Sequence, residues 1–265
     1  MTTAEICGEA IQALSHMSGK TGFYYKDLAT GETAGFQEKA QFRAASVYKL
    51  PLFAGILLLA HRGEADLFAK VRIAEDEKIP GCGAVQHLTG EPELDVLSLC
   101  KLMITISDNT ATNALARYFG IERMKPVFRE LGLSGTQMNR CLYDLEKEEQ
   151  GIQNWIVPEE LGGLLEGIHR RTLISPEVSA YLEEILLQQQ INHKIPGIMG
   201  ENVPVAHKTG EEDGTTHDVG IVCANRPFVV CFTSNETDVP VFEDFIRKTS
   251  WRLYCAAMDQ PCRLG

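Results

Sequence analysis

The stretch Arg43-Ala-Ala-Ser46-Val-Tyr-Lys49-Leu-Pro-Leu-Phe-Ala-Gly-Ile-Leu-Leu-Leu-Ala60 decides how the rest of the sequence is interpreted. From Leu50 onward it is apolar on nearly every side, which is typical of a helix buried in a core. Ser46 and Lys49 stand at its beginning, and their spacing places them on one helix face. A hydroxyl there lies in a positive backbone field, and a lysine amine within reach can take its proton. The pattern predicts a nucleophile with its base.

The composition is that of a globular protein with an acidic balance. At 265 residues the chain can bury a large core, as one large domain or two small ones. The net charge of −11 argues against a nucleic-acid or anionic-membrane partner, and solubility explains it more simply. No apolar run reaches the roughly 18 residues of a membrane span, and the N-terminus lacks the regions of a signal peptide. We therefore expect a cytoplasmic protein, or an extracytoplasmic one if a leader was removed, of unknown oligomeric state.

Cysteine and histidine patterns give no sign of a cofactor. None of the eight cysteines has C-x-x-C spacing, so a zinc ribbon or a dithiol redox site is not indicated. Without a signal peptide, reduced thiols are a better interpretation than disulfides. The seven histidines contain no H-E-x-x-H arrangement. The sequence therefore predicts neither a metal nor another cofactor.

Periodicity along the chain separates helical from extended segments. Amphipathic or Pro-initiated patterns predict helices at 3–17, 94–106, 110–118, 122–131, 158–169, 176–190 and 241–258. Patterns typical of strands occur at 22–28, 33–37, 203–208, 218–224 and 228–233.

Strands at both ends of the chain most simply form one antiparallel sheet. The predicted fold class is therefore α+β, with the sheet flanked by terminal helices and an all-α domain inserted between its second and third strands. We expect residues 1–44 and 200–265 to form the sheet domain and residues 45–199 the helical domain. A cleft between sheet edge and helical block would then hold the site.

Two short motifs occur twice, and only one copy of each suits a site. S-x-x-K occurs at Ser46–Lys49 and Ser98–Lys101, and K-T-G at Lys20–Gly22 and Lys208–Gly210. The pair at 98–101 lies inside an amphipathic helix pattern, which favours an ordinary helix face, and the K-T-G at 20–22 sits in a turn. Ser107–Asn109, with the sequence S-D-N, occurs once, between the two remaining copies.

The ordered set Ser46–Lys49, Ser107–Asn109 and Lys208–Gly210 resembles the motif set of class A β-lactamases and penicillin-binding proteins. The flanks Phe42–Ser46 and His207–Gly210 also resemble those of the family, and the likeness covers nearly the whole chain. It implies an α/β domain built from both termini around an all-α domain. It also implies a serine hydrolase that opens β-lactam (cyclic amide) rings through an acyl-serine intermediate.

Acyl transfer explains the catalytic residue types. Ser46 Oγ supplies the nucleophile, and Lys49 is its base if burial and neighbouring cations keep the amine neutral. Ser107 can relay a proton to the leaving nitrogen. Lys208 supplies positive charge for a substrate carboxylate and for the Ser107 hydroxyl. The predicted catalytic residues are these four.

Four further residues are predicted to bind substrate. Asn109 can hold Lys49 or a substrate amide, and the Thr209 hydroxyl can reach the same substrate carboxylate as its neighbouring lysine. Gly210 completes the K-T-G motif. By resemblance, the backbone N–H groups of Ser46 and Glu211 form the oxyanion hole.

The omega loop departs from the family. Class A β-lactamases carry there a glutamate, two residues after an arginine, that activates water for deacylation. Counting from Arg140 gives Leu142 at that position, and counting back from Pro158 gives Cys141; neither can act as that base. Asp144 is the preferred substitute, although a solvated acidic loop is the simpler interpretation of this charged segment.

Two other positions are unusual. Asn154 stands where the loop arginine normally has an acidic partner, so we expect the loop to be held differently. Glu211, Glu212 and Asp213 directly follow the K-T-G motif. Three carboxylates there would repel an anionic substrate unless they point away.

Two alternatives stay open at this point. A penicillin-binding-protein-like peptidase or esterase with slow β-lactam deacylation would keep the acylation residues and lack the deacylation base. A non-catalytic ligand-binding module would keep the cleft alone, and the intact Ser46 and Lys49 argue against it.

Overall fold

The computed structural model describes residues 1–200 and 202–262. Its helices are α1 (Thr3–Leu14), α2 (Lys49–His61), α3 (Val96–Thr105), α4 (Asn109–Phe119), α5 (Ile121–Glu130), α6 (Leu145–Glu149), α7 (Pro158–His169), α8 (Pro176–Leu186) and α9 (Val239–Ala257). Its strands are β1 (Lys20–Asp27), β2 (Thr33–Phe36), β3 (Phe42–Arg43), β4 (Lys70–Arg72), β5 (Glu93–Asp95), β6 (Trp155–Ile156), β7 (Val205–Glu212), β8 (Thr215–Val222) and β9 (Phe228–Asn235).

Five strands form one antiparallel sheet in the order β2-β1-β9-β8-β7. The central pairing joins the two ends of the chain, because β1 lies against β9 from Lys20↔Asn235 to Asp27↔Phe228. This arrangement confirms the predicted α+β class with an antiparallel sheet. Strand β7 pairs with β8 along one side only, so its other edge is open toward the helical block.

Two apolar cores lie on opposite faces of the sheet because successive strand residues alternate between its faces. On one face α1 and α9 cover side chains such as Phe23 and Phe232. On the other face the helical block covers side chains such as Val219 and Ile221. The domain boundaries proposed from the sequence stay predictions, and residues 201 and 263–265 of the proposed sheet domain lie outside the described residues.

Helix α2 runs through the centre of the larger core. Every residue from Lys49 to Leu59 is buried, as the all-round apolar pattern predicts. A 3₁₀ turn at Ala45–Tyr48 precedes it and carries Ser46. Among residues 1–200 and 202–262, no helix is both long enough and apolar enough to cross a bilayer.

Some elements differ from their predicted bounds or were not predicted. Helix α1 ends at Leu14 rather than residue 17, and α8 ends at Leu186 rather than residue 190. Two pairs of short strands, β3 with β6 and β4 with β5, had no sequence signal because two or three residues cannot show a period. Helix α6 forms inside the acidic loop segment.

Candidate active site

Ser46 lies on the 3₁₀ turn where the helical block meets the edge strand β7. It is half-buried and lines a cleft of about 690 Å³. Gly210 of β7 faces this turn so closely that an added Cβ would lie 3.0 Å from Val47 Cγ2 and 3.1 Å from the Ser46 nitrogen. A side chain at the third residue of the K-T-G motif would therefore require the nucleophile's turn to shift by a few tenths of an ångström, which favours glycine there.

Lys49 is fully buried beside this turn and is held by three acceptors. Its Nζ donates to the Ser107 carbonyl oxygen at 2.8 Å, to Ser107 Oγ at 3.1 Å and to Asn109 Oδ1 at 2.8 Å. Burial, followed by the positive charge of Lys208, holds the pKa of Lys49 well below its ordinary value. All three bonds can be donated at once only by the ammonium form, whereas the neutral amine donates to two of these acceptors and has a lone pair that can accept a proton, as the predicted role of base requires.

The Ser107 hydroxyl lies between two lysines. Lys208 Nζ donates to Ser107 Oγ at 3.1 Å and to the Thr209 carbonyl oxygen at 2.7 Å. Burial, followed by the positive charge of Lys194, lowers the pKa of Lys208 to about 7. The two motif lysines are thus joined through one hydroxyl, which gives a path for a proton.

Asp108 holds the S-D-N segment in place. Its carboxylate caps α4 by accepting from the Ala111 nitrogen at 2.9 Å, and it accepts from the Ala84 and Val85 nitrogens at 2.6 and 2.8 Å. Ser107 itself has a φ of 55°, in the left-handed region that non-glycine residues rarely adopt. These bonds stabilise a strained backbone that places the serine and asparagine of the motif beside Lys49.

Glu211, the residue after the K-T-G motif, directs its carboxylate toward cations on another segment. Its Oε1 lies 2.9 Å from Lys194 Nζ and 3.4 Å from His193 Nε2. The carboxylate is thereby neutralised by a fully buried ammonium group. Thr209 is buried and alternates with Lys208 and Gly210 along β7.

Asn154 holds the omega loop through hydrogen bonds to its backbone. Its Oδ1 accepts from the Asn139 and Arg140 nitrogens at 2.7 and 3.0 Å, and its Nδ2 donates to the Arg140 carbonyl oxygen at 3.0 Å. The Arg140 guanidinium contacts Gln153 Oε1 at 2.9 Å and Glu148 Oε1 at 3.1 Å. Arg140 therefore has an acidic partner in Glu148 of α6 and not at residue 154.

Asp144 has a structural partner in the same loop. Its carboxylate caps α6 by accepting from the Lys147 nitrogen at 3.2 Å, and it pairs with Lys147 Nζ at 3.4 Å. None of the contacts found for it in residues 1–200 and 202–262 reaches Ser46, so its role as a base stays a prediction. Leu142 lines the cleft with an apolar side chain, and burial raises the pKa of Cys141, which keeps it a thiol.

The cleft that holds Ser46 is also lined by four carboxylates that were given no role from the sequence. They are Glu148 of α6, Glu212 at the end of β7, Asp213 and Glu236. Burial raises the pKa of Glu212. A period of two counted along β7 from Lys208 through Gly210 would have placed Glu212 on the face that meets Ser46.

Comparisons with known proteins identify the family and the fold of this chain. The model of the β-lactamase enzyme family matches residues 7–256. A solved β-lactamase from Sphaerobacter thermophilus is 27% identical, with 96% of this chain and 97% of that chain covered and a TM-score of 0.85. The solved structure of PBP-A is 26% identical, with 95% of each chain covered and a TM-score of 0.85.

Two further structures extend the comparison. A leucine-to-glutamate variant of PBP-A, described as an acyl-enzyme complex with penicillin G, is 26% identical over 96% of each chain, with a TM-score of 0.85. The TLA-1 extended-spectrum β-lactamase is 18% identical, with 97% of this chain and 100% of that chain covered and a TM-score of 0.84, and it shows the shared fold alone.

Proposed function

This chain belongs to the β-lactamase enzyme family, and from that premise we propose that it is a serine hydrolase that opens β-lactam rings through an acyl-Ser46 intermediate. The observation that carries the proposal is the buried connection from Lys49 through the Ser107 hydroxyl to Lys208, next to a half-buried serine in a cleft. The connection supplies a base, a proton relay and a positive charge within one small volume.

The residues divide the acylation step among them. Ser46 Oγ bonds to the carbonyl carbon of the lactam while the neutral Lys49 amine takes its proton. When the tetrahedral intermediate collapses, the carbon–nitrogen bond breaks and the ring nitrogen receives a proton through Ser107 Oγ. The Lys208 ammonium attracts a carboxylate on the substrate, and Asn109 fixes the Lys49 amine. We assign the oxyanion hole to the backbone N–H groups of Ser46 and Glu211, and Thr209 and Gly210 to the substrate-binding edge.

Intact-mass measurement with penicillin G tests this proposal directly. Ring opening releases no fragment, so the acylated chain gains the full mass of one ligand. We expect this adduct on the parent chain and on Ser98→Ala, which alters the second S-x-x-K copy, and no adduct on Ser46→Ala. An unmodified parent chain, or an adduct that persists on Ser46→Ala, would show the proposal to be wrong.

A second candidate is a penicillin-binding-protein-like peptidase or esterase whose β-lactam acyl-enzyme is hydrolysed slowly. Leu142 favours it, because an apolar residue stands where the family's deacylating carboxylate is expected. The same mass measurement followed over time separates the candidates. An adduct that decays within seconds to minutes indicates a β-lactamase, and one that persists for hours, together with hydrolysis of a peptide or thioester, indicates the second candidate.

A further inference from the structure

We infer that Glu212 is the general base that activates water for hydrolysis of the acyl-Ser46 intermediate, and that it enters the cleft from strand β7 instead of from the omega loop. The inference rests on the proposed function and adds one catalytic residue to that same site. Because Leu142 stands where the family's deacylating glutamate is expected, another carboxylate would have to activate the water that hydrolyses the acyl-enzyme.

The first support is the face of β7 on which Glu212 lies. Ala206 packs in the core shared with the helical block, Lys208 contacts Ser107, and Gly210 faces the Ser46 nitrogen. Alternate residues of a strand share one face, so Glu212 is the next residue on this side. At a rise of about 3.3 Å per residue its Cα lies roughly 7 Å beyond that of Gly210. A glutamate side chain can span part of that distance back toward an ester on Ser46.

The second support is the surroundings of the carboxylate. Burial raises the pKa of Glu212, and the charges that face it are Arg140 of the omega loop, Arg43 of β3, Glu148 of α6 and Lys49 of α2. Among residues 1–200 and 202–262, no hydrogen bond or ion pair engages this carboxylate. The Glu212 residue is exposed at the mouth of the cleft, so water reaches its carboxylate, and a partly desolvated carboxylate without a partner is able to bind and deprotonate that water.

The third support is that three other carboxylates near the cleft are engaged elsewhere. Asp144 caps α6 and pairs with Lys147, while Glu148 pairs with Arg140. Glu211 pairs with the buried Lys194, on the opposite face of β7. Each of these groups would have to give up a cation before it could serve as the base.

The step balances without any further reactant. The oxygen of water bonds to the acyl carbon while the Glu212 carboxylate takes one of its protons. When the tetrahedral intermediate collapses, the bond between the acyl carbon and Ser46 Oγ breaks, and Glu212 returns the proton to that oxygen. The products are the ring-opened acid and the free serine.

Substitution of Glu212 by glutamine tests the assignment, because the amide keeps the shape and loses the base. Positioned bases typically contribute 10²- to 10⁴-fold to a rate. We expect Glu212→Gln to form the penicillin G adduct within about threefold of the parent rate and to release it at least ~100-fold more slowly. Asp213→Asn, which removes a charge from the adjacent residue, is the matched control and should release the adduct at close to the parent rate. Normal adduct formation also shows that the variant is folded.

The pH dependence of the rate of adduct release separates a base from a residue that only supports the structure, because a structural role would leave this dependence unchanged. A base must be ionised, so release by the parent chain should slow as the pH falls through the raised pKa of Glu212, and release by Glu212→Gln should be flat. Three results would overturn the inference and leave acylation at Ser46 standing. They are equal release of the adduct by Glu212→Gln and the parent, a long-lived adduct on Glu148→Gln instead, and a parent adduct that never decays. Absence of any adduct would overturn the proposed function as well.

Discussion

Ser107 is the residue that joins the three motifs, because its hydroxyl contacts the lysines of the other two. The sequence singled out the residues of the three motifs and one copy each of S-x-x-K and K-T-G, and the catalytic roles assigned to them stay predictions. It could not predict that one hydroxyl lies 3.1 Å from both Lys49 Nζ and Lys208 Nζ, because that distance depends on how the helical block docks on the sheet. It also gave Glu212 no role, because the strand was predicted to end at residue 208 and the alternation was not continued to residue 212.

The pKa of Lys208 leads to a prediction about substrate binding. With a pKa of about 7, this lysine is an ammonium below pH 7 and loses its charge as the pH rises through 7. We expect the KM for a β-lactam with a free carboxylate to rise by up to about tenfold per pH unit above 7. Steady-state kinetics from pH 6 to pH 9 would measure this rise.

Two comparisons control for other titrating groups. Lys208→Arg keeps its charge over the whole range, so its KM should change little with pH. The methyl ester of the same β-lactam lacks the anion and should also give a flat profile. A KM that rises equally for acid and ester would contradict the assignment of Lys208 to the substrate carboxylate.

The omega loop shows how far sequence reasoning reaches at the scale of an element. The missing acidic partner at Asn154 was visible in the sequence, and so was the absence of the usual glutamate. The short helix α6 was not predicted, because its residues, Leu-Glu-Lys-Glu-Glu, look like a solvated charge run. The cap from Asp144 and the ion pairs around Lys147 and Arg140 fold that run back on the cleft.

Removal of the Asn154 side chain should loosen this loop. Asn154→Ala leaves three backbone groups without their partner, and each buried unpaired group costs about 1–3 kcal/mol. For a chain of this size we expect a fall in Tm of at least about 4 °C, measured by thermal unfolding. Asn154→Asp keeps the acceptor for two N–H groups and should lose less. A Tm of Asn154→Ala within 1 °C of the parent would show that these bonds do not stabilise the loop.

At the scale of the whole molecule, the sheet separates two apolar cores, and no side chain among residues 1–200 and 202–262 belongs to both. The chain order of helices and strands was enough to predict this architecture, because strands at both ends have no simpler partner than each other. The register was not predictable from one sequence. In particular, Phe23 lies directly opposite Phe232, with ring centroids 5.4 Å apart.

Substitution of Phe232 tests whether the two cores unfold together. This residue is fully buried, and truncation of a buried phenylalanine to alanine costs about 3–5 kcal/mol. Strand β9 lines both cores, so damage to one core should also weaken the other. We therefore expect Phe232→Ala to unfold in a single transition at a lower temperature than the parent, as measured by calorimetry and by near-UV circular dichroism. Phe68→Ala, at a residue that is 73% exposed, is the matched control and should change Tm by under about 1 °C. Two separate transitions would show that the cores unfold independently.

Three lysines, Lys49, Lys194 and Lys208, have no exposed surface. Burying an ammonium group disfavours its charged form and opposes folding unless its partners compensate fully, so apolar residues of similar volume are often more stable at such positions. Selection for heat resistance therefore favours replacement of these lysines, whereas selection for activity favours keeping Lys49 and Lys208. A population of this chain propagated only for thermal survival should lose Lys49 and Lys208 early, and lineages that keep both record continued selection for turnover.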